Sequence, residues 1–192
     1  MIIEEGTGKV TLEGVQIVYR NFSGVETQYN RAGMRNFAVV LNDEDAAVLK
    51  NLGWNVKTKP SSREEGTFFN TLPVVVNFDK GRPPRVVLVG SRGRTPLNAE
   101  TVCLVDEVDL QFCDVILRPY DWNVNGTSGR KAYLQTLFAI ILEDYLELKY
   151  IDVPEIGAAP AMPALEQNYD NGLVLQGEIV DDPWATAGPT PY

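Results

Sequence analysis

Histidine is absent from this chain, and cysteine is scarce. The 192 residues include no His and two Cys, Cys103 and Cys113. Without histidine, neither a Ser-His-Asp triad nor a Cys-His pair can form, and a zinc site would depend on two widely spaced thiols. Two thiols also provide no disulfide framework, which is typical of a reducing compartment. We therefore expect a binding protein with no catalytic residues, no metal and no cofactor.

Long apolar runs and nucleotide-binding loops are missing as well. The longest apolar run, Leu137–Leu142, is far too short to span a bilayer. The N-terminus lacks the basic and apolar segments of a signal peptide. No Gly-x-x-x-x-Gly-Lys-Ser/Thr sequence occurs, which excludes a P-loop nucleotide site. These absences predict a cytoplasmic protein with no membrane partner.

Lysine and arginine are missing from the C-terminal part of the chain. All 17 cationic side chains lie in residues 1–150 against 19 acidic ones, a net charge of −2, whereas residues 151–192 carry 7 acidic side chains and no cation. Prolines also recur in this second segment. We therefore predict a nucleic-acid-binding β domain at 1–150 and an acidic, Pro-rich, disordered tail at 151–192. A nearly neutral body can still present a basic groove, because phosphate contact depends on local potential.

Short alternating apolar segments dominate the first 150 residues and predict strands. They are Gly8–Phe22, Arg35–Leu41, Trp54–Lys59, Leu72–Phe78 and Arg85–Val89. A change of phase near Gly14 indicates a bulge, and the last two segments predict a hairpin. A short helix is expected at Asp43–Leu52, and a short helical turn capped by Asn98 is expected at Ala99–Leu104. Glu143–Tyr150 is expected to form either a short final helix or a ragged strand end. The fold class is therefore mainly β: an OB-like small barrel or an open β-sandwich with one or two short helices.

The segment from Val115 to Leu142 predicts a long β-hairpin that turns at Asn125–Gly126. Cations interleaved with aromatic rings on a strand suit a single-stranded nucleic acid, because cations hold phosphates and rings stack on bases. The alternative is that these rings are half-buried packing residues. Side-chain alternation places three residues on one face of each strand, namely Arg118, Tyr120 and Trp122 on the first and Lys131, Tyr133 and Gln135 on the second.

Three blocks of the sequence stand out together: Arg35–Leu41 with the acidic helix and Gly53–Lys57 after it, then Arg85–Val89, and then the hairpin from Val115 to Leu134. Together they resemble the single-stranded-DNA-binding proteins of tailed bacteriophages. The resemblance implies an OB-type fold and sequence-independent binding and protection of single-stranded DNA in phage replication and recombination. It also implies cooperative or homo-oligomeric coating of the strand, in the host cytoplasm.

Cations and rings spread over the predicted domain supply the candidate DNA contacts. A tryptophan just past a helix often fills the edge of a core, so we favour a core position for Trp54. Arg35 has the alternative of pairing with Asp43 or Glu44, and the Ser91–Thr95 loop has the alternative of being merely solvated. The candidate phosphate contacts are Arg35, Lys57, Lys59, Arg92, Arg94, Arg118, Arg130 and Lys131, and the candidate stacking rings are Trp54, Tyr120, Trp122 and Tyr133.

The resemblance also gives the acidic tail a role. It implies that the tail competes with DNA for the groove and recruits replication or recombination proteins. Asp181, Asp182 and Trp184 form the acidic-aromatic spot that we expect to bind such a partner. Uncharged residues follow this spot up to Tyr192, so the chain departs from the pattern of an acidic tip.

Two other functions compete with DNA binding. A metal-dependent nuclease would hold two magnesium ions about 4 Å apart, with Asp106, Glu107 and Asp109 as candidate ligands. We favour a solvated surface turn for these three carboxylates. The second alternative is an acidic protein-interaction factor or inhibitor that mimics nucleic acid through the overall charge of −9.

Overall fold

The computed structural model describes residues 1–61, 66–79, 81–124 and 126–153. Asn125 and the predicted tail from residue 154 onward, with Asp181, Asp182 and Trp184, lie outside the described residues. Within these ranges the chain is mainly β with short helices, which confirms the predicted fold class. The strands are β1 (Ile2–Ile3), β2 (Val10–Val15), β3 (Ile17–Asn21), β4 (Arg35–Leu41), β5 (Lys57–Pro60), β6 (Phe68–Val76), β7 (Arg85–Gly90), β8 (Gly93–Leu97), β9 (Leu110–Val124) and β10 (Thr127–Ile141). The helices are α1 (Asp43–Asn51), α2 (Leu104–Glu107) and α3 (Tyr145–Lys149).

β2 and β3 form one bent strand that takes part in both halves of the sheet. β2 pairs with β9 and β3 pairs with β4, both antiparallel, and only Gln16 separates β2 from β3. From β4 the pairing continues to β6, then in parallel to β10, and then back to β9. The path thus returns to the bent strand from which it started. β2 and β3 are not paired with each other, so the sheet is open between them, and we call this strongly bent sheet the barrel. The bend lies at Gly14, whose φ of +64° favours glycine, and the predicted bulge is confirmed there.

The predicted hairpin between Leu72–Phe78 and Arg85–Val89 is wrong. β6 pairs with β4 and β5, while β7 pairs with β8. Both strands also pair in parallel with the same long strand, β10, at successive positions along it. The connection between them therefore carries the chain onward along β10 instead of reversing it. The basic segment that was predicted as a loop after β7 contains strand β8.

The core fills the barrel with side chains from alternate strand positions. Phe37 of β4 stacks on Phe22 with ring centroids 5.2 Å apart and an interplanar angle of 16°. Helix α1 adds Ala46 and Leu49 to the core. Its predicted cap is confirmed, since the Asn42 side chain accepts a hydrogen bond from the Asp45 N–H at 2.7 Å.

The other helices are short. The expected turn at Ala99–Leu104 is present as a series of turns, and the Asn98 side chain caps it by accepting a hydrogen bond from the Thr101 N–H at 2.9 Å. Helix α2 begins at Leu104. The predicted final helix is present as α3. None of the helices in the described ranges has the length and apolar character needed to cross a bilayer.

Candidate nucleic-acid interface

The β9–β10 hairpin places its predicted cations and rings on one surface. In its register Tyr120 lies opposite Lys131, Arg118 lies opposite Tyr133, and Trp122 lies opposite Gly129. Opposite residues of an antiparallel pair point to the same side, so the predicted shared face is confirmed. We call Arg118, Tyr120, Trp122, Lys131 and Tyr133 the hairpin face. None of the three rings is sealed in the core, and Tyr120 is 54% exposed.

Two tyrosines at the centre of the hairpin face form a pair. The ring centroids of Tyr120 and Tyr133 lie 5.4 Å apart with an interplanar angle of 59°. This tilted arrangement is one that aromatic pairs favour. It gives two neighbouring rings of fixed mutual orientation at the surface, where bases can stack on them.

The indole of Trp122 lies on the backbone of the partner strand. A Cβ atom added to Gly129 would come within 2.9 Å of Trp122 Cζ2, so glycine leaves the room that the ring occupies. Lys131 Nζ lies 5.8 Å from the centroid of the same ring. A cation beside an aromatic ring can hold the phosphate of a nucleotide whose base stacks there.

Two adjoining grooves run along the hairpin face. The first, of about 330 Å³, is lined by Asn77, Arg118, Pro119, Tyr120 and Tyr133. The second, of about 390 Å³, shares Arg118 and Pro119 with the first. Its other lining residues are Thr7, Lys9, Arg82, Pro83 and Gln135. The charged residues among these linings are the cations Lys9, Arg82 and Arg118, of which Lys9 also lies 3.4 Å from the Glu4 carboxylate. The positive charge that remains favours a phosphate backbone as the ligand.

Lys9 and Arg82 were missed by the sequence analysis. Lys9 directly precedes β2, and Arg82 lies in the connection between β6 and β7. The Arg82 carbonyl accepts a hydrogen bond from Arg118 Nη2 at 3.4 Å, which joins this connection to the hairpin. No local pattern could indicate their position, because only the pairing of distant strands brings them to the groove.

Arg130 does not join the hairpin face. It lies opposite Asp121 in the register, and its neighbour Lys131 points to the other side of the strand. Its Nε donates a hydrogen bond to Asp121 Oδ1 at 2.6 Å, and its Nη2 donates to Asp121 Oδ2 at 3.1 Å. Its Nη1 donates to the Leu52 carbonyl at 3.3 Å. These hydrogen bonds lower the pKa of Asp121 and raise the pKa of Arg130. Arg130, a candidate phosphate contact, thus lies on the face opposite to Lys131 and is paired with Asp121.

This ion pair gives a first prediction. Asp121→Asn removes an exposed negative charge from the hairpin and loosens the hold on Arg130. We expect single-stranded DNA to bind about two- to fivefold more tightly at low salt. The measurement is an anisotropy titration of a labelled oligothymidylate over a range of salt concentrations. Asp109→Asn makes the same charge change at the exposed residue before β9 and should leave the affinity unchanged. Equal effects of the two substitutions would contradict a local role.

Trp54 lies in the core and not on the interface. Its side chain is 4% exposed, and its backbone forms a bridge with Arg130. The Arg130 guanidinium lies 5.8 Å from the ring centroid, and the Asn55 N–H donates to the Arg130 carbonyl at 3.1 Å. The core interpretation is therefore confirmed, and the candidate role in base stacking is corrected. Trp54 and Asn55 thus connect the segment after α1 with Arg130 of β10.

Arg35 is half-buried and has contacts of its own. Its Nη2 donates to the Ala99 carbonyl at 2.9 Å, and its guanidinium carbon lies 5.4 Å from the Phe78 ring centroid. Its Nε is buried without a hydrogen-bond partner. The alternative of an ion pair with Asp43 or Glu44 is not what the structure shows. Arg35 thus connects the start of β4 with the turn after β8 and with Phe78 after β6.

The remaining predicted cations form two separate groups. Arg92 and Arg94 belong to the β7–β8 turn and strand, where Val89 pairs with Ile140 of β10. Ile140 is about 23 Å along the strand from Tyr133, so these two arginines are not brought to the hairpin face. Lys57 and Lys59 lie on β5, beside β6. Lys59 contacts the ring of Tyr19, a residue that the sequence analysis did not single out.

Asp106, a candidate metal ligand of the nuclease alternative, forms hydrogen bonds that stabilise the backbone after β3. Its carboxylate accepts hydrogen bonds from the backbone N–H groups of Phe22 and Ser23 at 2.9 Å and 2.8 Å. It thereby fixes the start of the loop between β3 and β4. In the described part of the chain, no group of three or more Cys, Asp or Glu residues is arranged to hold a metal ion.

The loop between β3 and β4 presents a further exposed ring. Asn21 is buried, and its side chain donates to the carbonyls of Val25 and Met34 at 3.0 Å and 3.3 Å, which ties the two ends of the loop together. Tyr29 lies within this loop and is 84% exposed. It stands in a polar segment without periodicity, so no sequence pattern could mark it as part of a surface.

The chain is similar to a known protein family and to several solved structures. A family model described as "Putative phage ssDNA-binding domain" matches residues 4–182. No curated protein matches the chain significantly. Among solved structures, the single-stranded DNA-binding protein from bacteriophage Enc34 in a C-terminal truncation is 9% identical, with 72% of this chain and 88% of that chain covered and a TM-score of 0.45.

The same Enc34 protein in complex with ssDNA is 11% identical, with 72% and 89% of the two chains covered and a TM-score of 0.43. The single-stranded DNA-binding protein gp2.5 of bacteriophage T7 is 16% identical, with 80% and 98% covered and a TM-score of 0.33. The family model spans nearly the whole sequence, including the barrel and the hairpin. The chain therefore belongs to the phage ssDNA-binding domain family.

Proposed function

We propose that the protein binds single-stranded DNA without sequence preference through the hairpin face. The observation that carries this proposal is the exposed Tyr120–Tyr133 pair beside grooves whose charged lining residues are all cations. Stacking accepts any base, because every base has an aromatic face. Bases of a duplex are already stacked on each other, so the rings favour unpaired strands.

The two kinds of contact contribute differently. Removal of a stacking ring costs about 1–3 kcal/mol of binding free energy per base. Each phosphate that a cation neutralises adds about 0.7 to the salt dependence of binding to a single strand. Lys9, Arg82, Arg118 and Lys131 supply the cations around the two tyrosines. Affinity should therefore fall steeply as the salt concentration rises.

The biological role follows from this binding mode. The protein coats and protects exposed strands during phage DNA replication and recombination, in the cytoplasm of the host. It acts cooperatively or as a homo-oligomer, and it is not an enzyme. A β domain within residues 1–150 binds the DNA, and the tail at 151–192, with Asp181, Asp182 and Trp184, recruits replication or recombination proteins. Family membership supports the phage context of this role.

Tryptophan fluorescence tests the proposed function. Trp122 lies on the hairpin face, Trp54 is buried, and Trp184 belongs to the tail, so the test uses a Trp184→Phe background in which stacking of bases should quench Trp122 selectively. We expect poly-dT to quench the emission at concentrations at which duplex DNA has little effect. Trp122→Phe should remove most of the quenching while retaining binding in an anisotropy assay. Equal binding of duplex and single strand, or no binding of either, would contradict the proposal.

The acidic tail gives a separate prediction. A variant that ends at Val153 lacks a tethered segment with 6 acidic side chains and no cation. We expect it to bind single strands more tightly at low salt, because a tethered polyanion no longer competes for the groove. The advantage should disappear at high salt, where charges are screened. A full-length chain with these acidic residues replaced by Asn or Gln is the matched control and should behave like the truncation. Unchanged affinity in both variants would exclude competition by the tail.

A further inference from the structure

Tyr19 has an unusual backbone conformation. Among the described residues it is the one non-glycine residue with a positive φ, +53°. It lies in β3, where the register with β4 shifts between Val18 and Asn21 as in a bulge. A tyrosine in the left-handed region is strained, and bulges redirect side chains, often next to binding sites. Its side chain is 56% exposed, so burial of the ring in the core does not compensate for the backbone strain.

A cation from a distant strand meets this ring. Lys59 Nζ lies 4.1 Å from the Tyr19 ring centroid. Lys59 is on β5 and Tyr19 is on β3, and in the pairing order β6 and β4 lie between them. The Tyr19 ring is exposed, so this contact lies at the protein surface. The pair therefore forms a ring-and-cation bridge between two strands that are not neighbours in the sheet.

One row of paired residues connects the hairpin face with the bulge that carries Tyr19. Tyr133 pairs with Val75, Val75 pairs with Asn36, and Asn36 pairs with Asn21, which is next to the bulge of β3. This row of paired residues crosses three strand spacings, about 14 Å along the sheet. Such a distance is within the reach of a few nucleotides of an extended strand.

We propose that Tyr19 and Lys59 form a second nucleotide-binding position on the same single strand, beyond the hairpin face. The Tyr19 ring stacks on a base, and the Lys59 ammonium holds the phosphate next to it. This inference rests on the proposed function, because it extends the path of the bound DNA. The inference also explains the strained backbone at Tyr19, because this conformation turns the ring outward toward the DNA.

The consequence is a dependence on the length of the DNA. An oligothymidylate of about four nucleotides occupies the hairpin face alone, whereas one of about twelve nucleotides also reaches Tyr19. Substitutions at Tyr19 should therefore weaken the binding of the longer oligonucleotide and spare the shorter one. A ring that served only the stability of the barrel would give no such difference.

The experiment uses Tyr19→Gly and Tyr19→Asn in the full chain. Both residues accept a positive φ, so they remove the ring without adding strain. We expect the dT12 dissociation constant to rise about 5- to 100-fold, with dT4 binding and the thermal midpoint largely unchanged. Tyr19→Phe retains the ring and should bind as the unsubstituted chain does. Folded glycine and asparagine variants that bind dT12 normally would overturn the inference.

If the Tyr19 variants fail to fold, Lys59→Gln tests the second nucleotide-binding position instead. It should weaken dT12 binding and lower the salt dependence by about 0.7, the loss of one phosphate contact. An unchanged salt dependence would overturn the inference. Tyr120→Ala separates the two levels of the argument. If it weakens binding while the Tyr19 and Lys59 variants do not, the inference fails alone; if the unsubstituted chain binds no single-stranded DNA, the proposed function fails.

Discussion

Tyr120→Ala is expected to weaken the binding of oligothymidylate by about 1–3 kcal/mol, or about 5- to 100-fold in the dissociation constant. The ring is 54% exposed and contacts Tyr133 on the hairpin face, so its removal deprives the DNA of one stacking partner and disturbs a second. Tyr120 does not belong to the core cluster, so its side chain adds little to the core. The thermal midpoint should therefore stay nearly unchanged. Anisotropy titration and thermal unfolding of the same preparation measure the two quantities.

Two controls sharpen this result. Tyr120→Phe retains the ring and should keep most of the affinity. Tyr145→Ala removes an even more exposed tyrosine from α3, which follows the opposite end of β10, and should leave binding unchanged. Equal losses for Tyr120→Ala and Tyr145→Ala would mean that the effect is not specific to the hairpin face. An unaltered affinity of Tyr120→Ala would remove the tyrosine pair from the interface.

Trp54→Ala should have the largest effect on stability, a loss of about 3–5 kcal/mol in the free energy of unfolding. The side chain is almost completely buried among core residues, and its removal leaves a cavity that the strands around it cannot fill. The Arg130 guanidinium, near the turn of the hairpin, would also lose its contact with the indole ring. Urea unfolding followed by circular dichroism gives the change, since the midpoint and slope together yield the free energy.

Trp122→Ala is the matched comparison, because it deletes the same side chain from the hairpin face. Trp122 lies on the backbone of Gly129, outside the core cluster. We expect a much smaller loss of stability and a clear loss of affinity for single strands. If Trp122→Ala unfolded the protein while Trp54→Ala were tolerated, the assignment of the two tryptophans to interface and core would be reversed.

Features that depend on neighbours in sequence could be predicted. Alternation with a period of two gave the shared face of Arg118, Tyr120 and Trp122, because that period holds in any strand regardless of its partners. The bulge at Gly14 and the Asn42 cap were also predictable, since each depends on the conformational preference of a single residue. The core position of Trp54 followed from its place after a helix.

Features that depend on the pairing of distant segments could not be predicted in the same way. β6 and β7 look like a hairpin locally, yet both pair with β10, which comes some 40 residues later in the chain. Arg130 is next to Lys131 in sequence but turns to the other face and holds Asp121. Tyr19 gave no signal, because its direction is set by a bulge that appears only when β3 meets β4.

Photochemical crosslinking tests the central claim most directly. The full chain would be bound to an oligothymidylate that carries 5-iodouracil, irradiated and mapped by mass spectrometry of its peptides. Crosslinks at Tyr120, Trp122 or Tyr133 are the result that we predict, because these rings stack on the bases. Crosslinks confined to α3 or to the β7–β8 turn, with the β9–β10 peptides unmodified, would contradict it.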